Sequence, residues 1–157
     1  MQTAPNFGNP SAASPVTTLD EKQRELTARL SSLKTGEERL AWLVDNARRA
    51  PSLQAELRVE NNLVPGCLAR LWLVSEFRDG RCHFSSDSDS MIVKAVAGLL
   101  CELYSGQKPG AIVAHDPDFL RALGITQHLT PNRRNSLSRV WEHIRIFAAA
   151  QSAGRPR

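Results

Sequence analysis

A chain of 157 residues with 41% hydrophobic and 23% charged side chains has the composition of a soluble globular protein and the length of one domain with its own core. The formal charge of +4 comes mainly from arginines scattered along the chain. This hints at an acidic partner surface and argues against nucleic acid, and no apolar run approaches the roughly 18–20 residues of a membrane-spanning helix.

Residues 1–17 are rich in Ala, Pro, Ser, Asn and Thr and carry no charged side chain, the composition of a disordered tail. They lack the basic start and apolar centre of a secretory signal, and the arginines of a transit peptide. A cytoplasmic protein is expected, with one folded domain over residues 18–151 and a frayed end at 152–157. Thr18 and Glu21 have capping-box spacing, which predicts a helix to about Leu33 with Leu26, Leu30 and Leu33 on one face. Thr35 and Glu38 form a second box, opening a helix to about Arg49 that Pro51 ends. Leu40, Leu43, Val44 and Ala47 are its apolar stripe, and the short turn between the helices makes them an antiparallel pair.

A sheet follows. Leu57 to Val64 reads as an edge strand, although Asn61-Asn62 weakens it. The runs Ala69 to Arg78 and Arg81 to Ser86 are joined by Asp79-Gly80, a favoured two-residue hairpin turn. That turn pairs Arg78 with Arg81, Phe77 with Cys82 and Trp72 with Asp87. Met91 to Tyr104 is the central core helix, capped by the cluster Asp87 to Ser90 and stopped by Gly106. Pro109 to Ala114 and Pro117 to Leu123 are short helical pieces. A polar loop, Thr126 to Pro131, leads into a last helix from about Pro131 to Gln151. Its expected buried stripe is Leu137, Val140, Trp141, Ile144 and Phe147.

Three cysteines, Cys67, Cys82 and Cys101, are an odd number without disulfide-framework spacing, which points to a reducing compartment. Cys67 follows Val64-Pro65-Gly66. Pro-Gly suits the central pair of a type II turn, so Cys67 sits at the mouth of a strand, where another protein can reach a thiol. Cys82 is about ten residues away along the hairpin, roughly 30 Å at about 3.3 Å per residue. The hairpin returns the loop Ser86 to Ser90 to the Cys67 end, with the N-terminus of the core helix, whose partial positive charge favours a thiolate. Asp87 and Asp89 oppose that effect if they face the thiol; capping the helix is their plainer role. Cys101, on the core helix, reads as structural.

A metal or iron–sulfur site built on the cysteines with His83 or His128 is disfavoured. No two cysteines stand two to four residues apart, and the register separates Cys67 from Cys82. A Cys67–His128 hydrolase pair lacks a third orienting residue. His128 alone reads as a loop hydrogen-bonder, and Arg133 as a helix-start residue with a solvated surface role as its plainer alternative.

Three separated segments carry a resemblance: VPGCLARLWL, FSSDSDSMIVKA and LGITQHLTPNRRNSL. In this order and spacing the chain, from about Leu26 to Ala149, resembles the SufE family of sulfur-acceptor proteins. The resemblance implies an α+β fold in which helices cover a small three-stranded antiparallel sheet, as in iron–sulfur scaffold proteins. It implies an accessory protein rather than an enzyme, taking persulfide sulfur from a pyridoxal-phosphate cysteine desulfurase, stimulating that enzyme and relaying sulfur to an iron–sulfur scaffold complex. The pyridoxal phosphate belongs to the partner, and this chain is expected to hold no cofactor, metal, nucleic acid or membrane of its own; a homodimer is left open. Carried over, Cys67 is the persulfide acceptor, and Gly66, Asp87, Asp89, His128 and Arg133 fall on the cysteine pocket or the partner surface. Ala69 stands where many members have Ser, and Arg134 and Ser136 replace a small residue and Gly. The rival readings are an iron–sulfur or zinc-binding scaffold, and a module that activates the desulfurase without carrying sulfur.

Overall fold

The structure is a computed structural model that describes residues 17–153. Of the expected tails, residues 1–16 and 154–157 lie outside the described residues. Helix α1 (Leu19–Ser31) opens on the expected capping box, with Thr18 Oγ1 accepting from the Glu21 N–H at 3.1 Å and the Glu21 carboxylate accepting from the Thr18 N–H at 3.0 Å. Helix α2 (Gly36–Arg49) has half of its box. Thr35 Oγ1 caps the Glu38 N–H, but the Glu38 carboxylate reaches back one residue further, to the Lys34 N–H. The helix stops at Ala50, whose extended backbone is the conformation favoured before a proline.

The hairpin has the predicted register. Strands β1 (Leu71–Arg78) and β2 (Arg81–Ser88) pair Arg78 with Arg81, Phe77 with Cys82 and Trp72 with Asp87. Asp79 and Gly80 both have positive φ, 54° and 77°, as the type I′ turn requires. The sheet has two strands, not three. Leu57 to Val64 is instead a turn and a short 3₁₀ segment, Glu60–Asn62, joined to the sheet by a Leu63–Trp72 bridge and the Val64 N–H to Leu71 carbonyl bond rather than by a strand ladder. The reason is local: the Asn62 side chain donates to the Leu57 carbonyl at 2.8 Å, closing the backbone on itself as Asn side chains do in turns.

Helix α3 (Met91–Tyr104) is the core, packed against β2, α2 and the last helix. Ser90, not either aspartate, caps it, its Oγ accepting from the Val93 N–H. Two short helices, α4 (Pro109–Val113) and α5 (Phe119–Ala122), and a 3₁₀ turn at Thr126–His128 lead to α6 (Pro131–Ala153), two residues longer than expected. Its most buried line is Ser136, Val140, Ile144 and Ala148; Leu137, Trp141 and Phe147 flank it half-buried. The small side chains of Ser136 and Ala148 share this line with Val140 and Ile144, and the aromatics extend sideways. Trp141 stacks on Tyr104 of α3 with ring centroids 5.0 Å apart, and Phe147 meets Phe84 of β2 edge-on at 5.8 Å.

The loop before α6 is fixed from the N-terminal helices. Arg39 of α2 donates to the carbonyls of Leu30, in the last turn of α1, of Leu33, just beyond that helix, and of Leu123. Beside it the Gly36 and Gly124 backbones meet so closely that a Cβ on Gly36 would lie 2.1 Å from the Gly124 carbonyl oxygen.

Candidate functional site

The Pro65-Gly66 turn ends one residue before Cys67, with Gly66 at φ 85°. An L-residue avoids this left-handed region, and at Gly66 space is short as well. An added Cβ would lie 3.0 Å from Nε of Arg139, and the Gly66 carbonyl accepts from the Asn135 side-chain amide at 2.9 Å. The turn is thus held from outside by two residues one helical turn apart on α6. Neither was expected from the sequence. Asn135 lies within the LGITQHLTPNRRNSL segment, and its i, i+4 spacing from Arg139 was the available signal.

Of the three cysteines, only Cys67 is outside the buried set, packed half-exposed against the edge of the core. Cys82 is fully buried in the ladder, its N–H bonded to the Gln107 carbonyl and its carbonyl to the Gly106 N–H. Cys101 is buried on α3 against the Ser86 hydroxyl. Burial pushes both of these thiols up to about 11, slightly offset at Cys101 by that hydroxyl.

An open groove of about 320 Å³ is lined by Leu68 and Ala69, the two residues after Cys67, and by Ser90, Val93, Arg133 and Ser136, among others. The first turn of α3 and Arg133 at the start of α6 thus share a groove with Leu68 and Ala69, the residues that follow Cys67. The Arg133 N–H is capped by Thr130 Oγ1. Ser136 closes the groove floor, buried, with its hydroxyl turned back to the Asn132 carbonyl. Arg134 is folded onto the Leu129 carbonyl, so it braces the loop.

The remaining expected residues are placed as follows. Asp87 is buried, accepting from the Leu53 and Ser88 N–H groups and standing 3.8 Å from the Lys94 ammonium. It ties the segment after α2 to β2 and α3. Asp89 pairs with Arg70 at 3.0 Å, and Arg70 lies over one side of the Trp72 ring while Arg58 also contacts it, at 5.7 and 5.9 Å from the centroid. His128 is exposed on the 3₁₀ turn that packs on α2, and no hydrogen bond among the described residues joins it to the cysteine turn. No group of three His, Cys, Asp or Glu side chains among the described residues is placed to hold a metal ion, and no described helix is long and apolar enough to cross a membrane.

These features define a small α+β protein with one accessible thiol, presented on a glycine turn and braced by a distant helix. The comparisons place it further. The model of the SufE family, an Fe–S metabolism associated domain, matches residues 24–148, and the chain belongs to that family. It is 29% identical over 117 residues to an uncharacterised SufE-like protein of Synechocystis, covering 74% of this chain and 72% of that one. A solution structure of a hypothetical protein from Thermus thermophilus has the same fold, with a TM-score of 0.68 at 24% identity, over 85% of this chain and 97% of that one.

Proposed function

We propose that this protein is a sulfur acceptor: Cys67 takes sulfane sulfur from a cysteine desulfurase, stimulates that enzyme by clearing its persulfide, and passes the sulfur to an iron–sulfur assembly scaffold. The observation that carries the reading is the position of Cys67, the one cysteine outside the buried set, on a turn that α6 holds. Membership of an Fe–S metabolism family supports it.

The chemistry is a thiol exchange. The Cys67 thiolate attacks the outer sulfur of the donor persulfide, a bond forms between that sulfur and Cys67 Sγ, and the donor's S–S bond breaks. The electron pair leaves on the donor cysteine as its thiolate. The transferred sulfur keeps its oxidation level, so no outside oxidant or reductant takes part. Holding the product then requires that no second thiol attack it and expel sulfide. Cys82, at the far end of the hairpin, and Cys101, inside the core, meet that requirement. The pyridoxal phosphate that liberates the sulfur is the donor's.

The test is intact mass after incubation with a cysteine desulfurase and cysteine. One added sulfur atom is expected per chain, mapped to the Cys67 peptide and lost on reduction. Full stimulation of the desulfurase by Cys67→Ser would sink the acceptor role and leave a module that only activates its partner.

A further inference from the structure

Leu68, the residue after the acceptor cysteine, is 81% exposed, well beyond the next most exposed large apolar side chain among the described residues, Ile146 at 53%. A lone surface leucine needs no explanation, but this one has three features in its surroundings. It adjoins the thiol, it lines an open groove with the apolar side chains of Ala69 and Val93, and that groove also holds Arg133. Arg70 is paired with Asp89 and Arg139 with Glu142, whereas Arg133 makes no ion pair among the described residues.

We propose that Leu68 is the anchor by which the sulfur donor docks, entering an apolar socket on the donor whose rim carries a carboxylate opposite Arg133. This rests on the acceptor role of Cys67. Any protein that exchanges sulfur with Cys67 must cover the neighbouring residue, so Leu68 leaves water when transfer occurs. The surface described here is that of the bare thiol, which is the state the donor meets; the recipient of the sulfur meets a half-buried Cys67 enlarged by one atom. Burial of a single leucine in a well-packed pocket is sufficient for a large change in affinity, and a facing carboxylate adds orientation and attraction that salt screens.

The experiment uses the full chain, a purified cysteine desulfurase from the same organism, and cysteine persulfide as a small-molecule donor. Leu68→Ser should raise the KM for this protein in the desulfurase reaction about tenfold or more, with kcat at saturation within about twofold. Leu68→Met should restore most of the affinity, since it keeps apolar volume. Loading from cysteine persulfide should not change, because that donor needs no socket. An unchanged KM in Leu68→Ser overturns the anchor. Equal losses with both donors also overturn it, showing that Leu68 only shapes the turn. Wild-type protein that loads from cysteine persulfide but not from the desulfurase rejects the choice of donor, and with it the anchor. Failure to load from either donor strikes instead at the acceptor reading beneath it.

Discussion

Cys67 and Cys82 bracket one hairpin and have opposite surroundings. Cys82 belongs to the ladder. Its backbone is bonded to residues 106 and 107, its side chain is fully buried, and burial raises its thiol to about 11. Cys67 stands before the first ladder residue, after a glycine with positive φ; it packs half-exposed on the edge of the core, and its neighbour's carbonyl is bonded to Asn135. The same side chain is inert in one place and accessible in the other because of what the backbone does. A strand interior fixes a residue into the core; the turn before a strand can present one.

The sharpest way to break this contrast is to count reactive thiols. Native protein should react with a thiol reagent at one fast site, removed completely by Cys67→Ser, and at three sites per chain in denaturant. Fast native labelling of Cys82 or Cys101 would remove the distinction.

Alkaline pH gives a second, smaller effect. The buried thiols ionise near 11 in the folded protein but near the ordinary value of 9.0 when unfolded. Their folded pKa values are raised, so the stability they contribute is complete below about 9 and is lost as pH climbs towards 11. Urea midpoints should fall over that window, and the fall should be shallower in Cys101→Ala, whatever that substitution costs at neutral pH. An identical slope in the variant would mean that Cys101 is not protected as its burial implies.

Gly66→Ala should have the smallest effect on stability. The left-handed backbone costs about 1–2 kcal/mol for an L-residue, and the Arg139 side chain can shift to accommodate the methyl group. Denaturant unfolding should show a loss of that size, together with a changed Cys67 alkylation rate. Wild-type values for both would show that the turn does not require glycine.

Local chemistry in the sequence predicted the elements that local chemistry controls. Asp79-Gly80 set the hairpin register, and with it the separation of the two cysteines, because a two-residue turn leaves one pairing. Thr18 and Thr35 set the two helix starts. The third strand failed because Leu57 to Val64 was read by its apolar residues, whereas the Asn62 amide decided its backbone. The stripe on α6 was rotated because bulk was equated with depth, when the closest packing line takes Ser136 and Ala148. Arg133 lines the groove with Leu68 and Ala69, while Asp87 and Asp89 are engaged in ties to Leu53, Lys94 and Arg70. The Asn135–Gly66 bond joins residues 69 positions apart, and nothing local announces such a contact.

The meeting of Gly36 with Gly124 has a consequence for evolvability. Gly36 is the first residue of a helix with no positive φ to demand glycine, so by its own neighbourhood it should be free to vary. The opposing backbone removes that freedom. Any side chain there displaces the Gly124 loop, which runs directly into the cap of α6, the helix that carries Asn135 and Arg139 to the cysteine turn. The spacing between the N-terminal helix pair and this loop thus leaves no room for even a methyl group at Gly36, and the path from there to the cysteine turn runs through α6 and Asn135.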